Sequence, residues 1–315
     1  MGVKDSYPGA TKQEDAYRSG FLTLVGRPNA GKSSLINAVF EKKIAITSDT
    51  VQTTRCRLRA ILSRPGFQLI MVDTPGLHKP QDPLGQRLNE TAFAALDGVD
   101  VVAFLVDASK PVGTGDKWVA SHLAQVKAKK IAVLSKSDLV DEEGIKAQSE
   151  ALAALGEWEA LLSLSSLTGE GVAAFTEHVV SLLPPGPRWF PEDMESDLPL
   201  EMTVAEFIRE KVLRKFFDEI PHAVGVVTEE MGYDARADRY SIYTNIFVER
   251  ESQKGMIIGK HGASIKEIGS LARLDLEQLL GCKVFLELRV KVKKNWRRDL
   301  NQIQRFGYGE GFDAE

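Results

Sequence analysis

Residues 26–33 read Gly26-Arg27-Pro28-Asn29-Ala30-Gly31-Lys32-Ser33, with Ser34 next. The stretch fits G-x-x-x-x-G-K-[ST] and lies between the apolar run 21–25 and an amphipathic segment, where a strand gives way to a helix. Its glycines let successive backbone N–H groups curl around phosphate oxygens at the positive end of that helix. Lys32 would meet the β- and γ-phosphates, and Ser33 would ligate Mg²⁺. A strand that feeds a helix through such a turn predicts an α/β unit built on a parallel sheet.

Outward from this turn, short apolar runs at 67–72, 101–106 and 131–134 alternate with helical patterns, so the sheet should be covered on both faces. Arg64-Pro65-Gly66, between 58–63 and 67–73, is a turn signal that makes one pair of strands antiparallel; the sheet is mixed but mostly parallel. Three strand ends carry polar motifs. Asp73-Thr74-Pro75-Gly76 follows 67–72, placing Asp73 where it could hold Mg²⁺ through water and Gly76 where its N–H could sense a γ-phosphate. Ser135-Lys136-Ser137-Asp138 follows 131–134, and the Asp138 carboxylate can accept from the N1–H and exocyclic amine of guanine, a donor pair that adenine lacks. Ser165-Ser166-Leu167 follows 161–164 and offers backbone contacts to the base.

In this order the motifs resemble those of the guanine-nucleotide-binding domain in the translation-factor class of GTPases, at 26–33, 52–56, 73–76, 135–138 and 165–167, over residues 18–185. The resemblance implies GTP/GDP and Mg²⁺ as cofactors, Ser33, Thr54 and Asp73 around the metal, and Lys32, Thr54 and Gly76 in hydrolysis. Thr54 is taken from Gln52-Thr53-Thr54-Arg55 on the family pattern. Two departures matter. Ser135 replaces the usual Asn and lacks the amide that would reach the base N7 and brace the phosphate loop, so lower nucleotide affinity is expected. Leu77 replaces the water-orienting glutamine of Ras-like relatives, leaving catalysis to positioning and charge neutralisation, with slow intrinsic hydrolysis. Relatives with such an apolar residue and an Asn in the phosphate loop, Asn29 here, imply a potassium ion in place of an arginine finger.

The chain has 315 residues, enough for about two domains. With 43 % hydrophobic and 27 % charged residues it has the composition of a folded globular protein, not of a disordered or fibrous one. The longest apolar run, 101–106, falls far short of the ~18 residues of a membrane span, and residues 1–17 lack the apolar core of a signal peptide, so a cytoplasmic location is expected. Cys56 and Cys282 are too few for a disulfide framework and read as reduced structural thiols. Although the net charge is −4, residues 250–305 carry thirteen Lys or Arg against six Asp or Glu, an excess that asks for an anionic partner.

Five prolines and a glycine within 183–199 mark a boundary. The division expected is a leader 1–17, a nucleotide-binding unit 18–185, a Pro-rich linker 186–200, a smaller α+β unit 201–307 and a tail 308–315. In the smaller unit Thr203 and Glu206 suggest a capping box, followed by a helix with Phe207, Ile208, Phe216 and Phe217 on its apolar side. Strands at 223–228 and 240–248 follow, then a helical segment, the loop Gly259-Lys260-His261-Gly262 and a helix 263–280 stopped by Gly281. In the last strand Val284, Leu286, Leu288, Val290 and Val292 point one way, while Lys283, Arg289, Lys291 and Lys293 point the other. This α-β-β-α-α-β order, with GxxG between two helices, resembles a type II KH domain. That implies a single-stranded RNA backbone clamped at Ile258, Gly259, Lys260, His261 and Gly262, about four nucleotides long. Lys291, Lys293, Lys294, Arg297 and Arg298 would add phosphate contacts. Trp296 and Phe306 either stack on bases or pack on the core.

A GTPase unit followed by a KH unit, with 27–33, 52–55, 73–78 and 257–262 in that order, resembles the Era-type GTPases. The resemblance implies binding to the 3′ end of 16S rRNA and a part in assembly of the small (30S) ribosomal subunit, as a monomer, with peripheral contact to the inner membrane at most. From the residues alone Ser135 and Leu77 leave open an RNA-binding scaffold with a vestigial nucleotide site, against which Lys32, Ser33, Asp73 and Asp138 stand intact.

Overall fold

The computed structural model describes residues 17–50, 53–79 and 83–308. The first unit runs β1 (Arg18–Gly26), α1 (Lys32–Phe40), β2 (Leu58–Arg64), β3 (Phe67–Asp73), α2 (Pro83–Ala94), β4 (Val101–Asp107), α3 (Thr114–Leu123), β5 (Lys129–Ser135), α4 (Glu142–Ala153), β6 (Ala160–Ser163) and α5 (Val172–Leu182). Its six strands lie in the order β2-β3-β1-β4-β5-β6, and β2 pairs antiparallel with β3 while the other pairs are parallel. Continuous apolar strands follow from helices on both faces: Leu22, Leu24, Met71 and Val133 pack toward α1 and α5, whereas Val102, Phe104, Ala132 and Leu134 pack toward α2, α3 and α4. Because β1, β3 and β5 run parallel, Gly26, Asp73 and Ser135 end along one edge of the sheet, the place where open α/β sheets bind ligands.

The Pro-rich stretch straps itself to the free side of this sheet. Arg18 bridges to Pro185 and Ala60 to Ser196, Ile61 N–H donates to the Glu195 carbonyl at 2.9 Å, and the Gln68 carboxamide holds Trp189 and Phe190. Glu195, Ser196 and Asp197 of this stretch pair with the edge strand β2 and blunt it.

The second unit comprises α6 (Leu200–Lys215), α7 (Glu219–Ala223), β7 (Gly225–Asp234), β8 (Arg239–Val248), α8 (Glu251–Ile258), α9 (Ala263–Leu280), β9 (Lys283–Val292) and α10 (Leu300–Arg305). Its sheet is β7-β8-β9, antiparallel then parallel, with α6, α8 and α9 on the face that carries Ile242, Ile246 and Val284. Two expectations are corrected and one open alternative is decided. Thr203 is not a cap: α6 begins at Leu200, Thr203 Oγ1 donates back to the Pro199 carbonyl, and Glu206 pairs with Arg209 instead. Phe217 is 71 % exposed because α6 ends at Lys215 and the chain turns away before it. Trp296 and Phe306 are core residues, Trp296 Nε1 donating to the Ala223 carbonyl at 2.8 Å and Phe306 stacking on Phe247. No helix among the described residues is long and apolar enough to cross a membrane.

Candidate nucleotide and RNA sites

The turn after β1 places Lys32 and Ser33 at the start of α1, beside the ends of β3 and β5. Lys32 Nζ curls over its own loop, donating to the Gly26 and Arg27 carbonyls at 3.3 and 3.2 Å. Burial pulls its ammonium down to about 8, with Asp73 opposing. Ser33 Oγ donates to Asp73 Oδ2 at 2.6 Å, and Thr54 Oγ1 lies 3.1 Å from Ser33 Oγ and 3.2 Å from Asp73 Oδ2. Burial raises the Asp73 carboxyl against the pull of Lys32 and these hydroxyls, and its Oδ1 is buried without a partner. Two hydroxyls and a carboxylate with an oxygen to spare form a hard-oxygen set of the kind Mg²⁺ takes. Thr53, the other candidate, turns away: its hydroxyl donates to the Thr50 carbonyl at 2.6 Å. Gln52 lies outside the described residues.

Gly76 packs against the phosphate loop so closely that a Cβ there would lie 2.6 Å from Pro28 Cα. Thr74 Oγ1 donates to the Leu24 carbonyl, fixing the start of the Asp73–Gly76 turn, and Pro75 completes it. Leu77 is 1 % exposed and packs with Val25, Leu96 and Phe104 in the core, pointing away from the cleft. His78 Nδ1 lies 3.0 Å from the Gly76 carbonyl, which can only accept, so the ring donates there and is tethered to the turn. Asn29 Nδ2 donates to the Asp49 carbonyl at 2.6 Å.

At the base end, Lys136 Nζ pairs with Asp107 Oδ2 at 2.8 Å, Asp138 is exposed, and Ser165 Oγ accepts from the Leu167 and Thr168 N–H groups. Leu167 is exposed and Ser166 Oγ is buried without a partner. Ser135 overturns part of the expectation set on it. Its hydroxyl donates to the Ala30 carbonyl at 2.7 Å, so the phosphate loop keeps a brace from this position.

In the second unit Gly259-Lys260-His261-Gly262 forms a tight turn between α8 and α9. Gly259 has φ 72°, and a Cβ there would meet Ser264 Cβ at 2.7 Å, so only glycine fits. Lys260 and His261 are exposed, and Ile258 is half-buried behind them. Along α9 and β9 runs an open groove of about 520 Å³ lined by Ile265, Lys266, Ser270, Arg273, Phe285 and Leu288. The basic residues singled out nearer the C-terminus scatter. Lys291 lies on the outward sheet face with Arg289, Lys293, Lys294 and Arg298 are exposed beyond β9, and Arg297 is turned to Glu249 at 2.9 Å.

The two sites are joined. Arg55, fully buried, donates to the Val224 and Pro221 carbonyls at 2.7 and 2.8 Å and faces the Trp296 and Tyr308 rings. Arg209 on α6 donates to the Thr53 carbonyl while paired with Glu206. Lys43 pairs with Glu210 on α6 and Asp275 on α9, and Glu210 also accepts from Thr47 N–H at 2.9 Å. Ile46 is buried in the core of the second unit, and Leu84 and Leu88 of α2 pack with Trp296 and Ile303.

A family model described as a 50S ribosome-binding GTPase matches residues 21–136, and one described as a KH domain matches residues 219–297. The chain is 44 % identical to GTPase Era from Nocardioides sp. over 305 residues, 94 % of this chain and 97 % of that protein. It is 43 % identical to GTPase Era from Mycobacterium sp. over 296 residues, 93 % of this chain and 99 % of that one. The chain belongs to the GTPase Era family. It is a GTPase whose nucleotide-binding unit is followed by a KH domain. Among solved structures it is similar to Era in complex with MgGDPNP and nucleotides 1506–1542 of 16S ribosomal RNA, with a TM-score of 0.89, 34 % identity, and coverage of 92 % of this chain and 99 % of that one. An Aquifex aeolicus Era variant bound to GDP and AlF₄⁻ is similar at 33 % identity, with a TM-score of 0.89 and the same coverage.

In this Era-family chain the groove residues Lys266, Ser270, Arg273 and Phe285 escaped sequence reasoning. Lys266 and Arg273 are seven apart on α9, one face of a helix, and that spacing was the available signal. Arg209 and Glu210 had none, because charged residues in an amphipathic helix read as solvated until a second unit covers them, and Arg55 was legible only as the last residue of the 52–55 motif.

Proposed function

We propose that this GTPase is a switch that binds single-stranded rRNA, the 3′ end of 16S rRNA, and acts in assembly of the small ribosomal subunit. The observation that carries the reading is the construction of both nucleotide-sensing segments into the KH domain: Arg209 holds the Thr53 carbonyl next to Thr54, and α2 packs on Trp296. A protein that makes these contacts only when GTP orders Thr54 and Gly76 favours one arrangement of its RNA groove, and hydrolysis releases it.

In this reading residues 26–34 wrap the phosphates, Lys32 neutralises charge on the β- and γ-phosphates, and Gly76 N–H meets the γ-phosphate. Ser33, Thr54 and Asp73 hold Mg²⁺, which supplies charge neutralisation and in-line orientation. Asn29 offers its amide oxygen to potassium. Asp138 reads guanine, with residues 135–137 and 165–167 framing it, and residues 73–77 carry the turn that orders on GTP. RNA lies over Gly259–Gly262 and along the α9–β9 groove, with Lys260 and Lys266 on phosphates. The units divide at 18–185 and 201–307, and the chain works as a monomer in the cytoplasm with at most peripheral membrane contact. The similar Era structure holding both a GTP analogue and a 16S segment supports this reading.

The test is single-turnover GTP hydrolysis in potassium or sodium buffer, with and without an RNA of the 16S 3′ end, using Lys32→Ala as the blank. Hydrolysis above the blank that changes with RNA is the expected result. Tight RNA binding with no dependence on nucleotide in either direction would overturn the switch.

A further inference from the structure

Ser135 ends β5 directly beneath the phosphate loop, within hydrogen-bond reach of the Ala30 carbonyl. A serine hydroxyl has one proton to give. Two carbonyls lie within reach, Ala30 at 2.7 Å and Val106 at 3.1 Å, and both can only accept. The proton is therefore spent on backbone, with the shorter contact bracing the phosphate loop. Ser135 is also 1 % exposed, so its side chain presents almost no surface to the cleft. An asparagine at this position would carry two amide protons on a longer arm, enough to hold the loop and still donate to a base.

Neighbouring donors do not fill the gap. Lys136 Nζ is committed to Asp107 at 2.8 Å, and Asn29 Nδ2 to the Asp49 carbonyl. The Ser137 and Ser166 hydroxyls have no partner but are themselves buried. The exposed Asp138 carboxylate can only accept, and it suits the N1–H and exocyclic amine on the opposite edge of the ring from N7.

We infer that Ser135 splits the two tasks of this position, keeping the phosphate-loop brace and giving up the reading of guanine N7, so that the site selects guanine by its Watson–Crick edge alone. This rests on the guanine-nucleotide reading above. A nucleotide in which N7 is replaced by C–H then binds as well as the natural one, whereas one lacking the exocyclic amine does not.

The experiment is titration calorimetry of the full chain with GDP, 7-deaza-GDP and IDP, in the presence of Mg²⁺. GDP and 7-deaza-GDP should agree within about twofold, and IDP should bind at least about tenfold more weakly. Ser135→Ala should weaken GDP and 7-deaza-GDP together, by about fivefold, leaving their ratio near one. Ser135→Asn should introduce a ratio, disfavouring 7-deaza-GDP by about three- to tenfold. Melting of each variant without nucleotide shows whether it is folded, and the native chain alone suffices if one is not. A native chain that disfavours 7-deaza-GDP fivefold or more overturns the inference while leaving the guanine-nucleotide site standing. Absence of GDP binding overturns both.

Discussion

Leu77 follows the Asp73–Gly76 turn with its side chain sealed in the core at 1 % exposure, which sets what a glutamine could do there. Leu77→Gln buries a carboxamide among Val25, Leu96 and Phe104 and delivers no group to the cleft. We expect a loss of roughly 1–3 kcal/mol in urea unfolding with no gain in single-turnover hydrolysis. Gly76 has the opposite constraint. Gly76→Ala puts a methyl 2.6 Å from Pro28 Cα and must push the turn off the phosphate loop. Hydrolysis should fall about a hundredfold, as for a misplacement of about 1 Å, while GDP binding, which needs no γ-phosphate contact, persists.

At the scale of elements, α9 serves two masters, since its groove face carries Lys266 and Arg273 while its Asp275 meets Lys43 and Lys211. Lys266→Ala should weaken RNA binding and lower the slope of log affinity against log salt by about one, as loss of one phosphate contact requires. Burial alone would raise the Glu210 carboxyl, but the Lys43 ammonium, Thr47 N–H and Lys211 hold it below its ordinary 4.5, and Asp275 is likewise lowered below 3.8. Carboxylates depressed in the folded state stabilise it above their unfolded values and lose that contribution as pH falls through the folded ones. Lys43→Ala should therefore melt below the native chain at pH 7, and the gap should close as pH drops below about 4. These elements also show what the sequence makes legible. The apolar runs of β1, β3, β4 and β5 and the motifs at their ends follow from burial on two faces and from the chemistry of phosphate, so their positions are readable in advance. The start of α6 was not, because Pro199 stops the chain four residues before Thr203 and no side chain caps the helix. The cluster around Arg55 was not either, since its partners are backbone carbonyls 166 and 169 residues away.

For the whole molecule, the decisive residues are those that belong to one unit by sequence and to the other by packing. Arg55→Ala removes two hydrogen bonds and two aromatic contacts at once. RNA affinity measured with GDP and with a non-hydrolysable GTP analogue should then converge, because the segment after Thr54 no longer carries its state across the boundary. Unchanged nucleotide dependence in a folded Arg55→Ala protein would refute that coupling.

The strap at 185–197 and the anchors on α6 have a further consequence during translation. The nucleotide-binding unit leaves the ribosome first, yet Ile61 finds Glu195, Thr53 finds Arg209 and Ile46 finds its burial only once later residues have been made. A nascent chain can fold its six strands early and still lack the walls that hold its sensing segments. The enzyme comes of age only when its RNA-binding half has emerged to complete it.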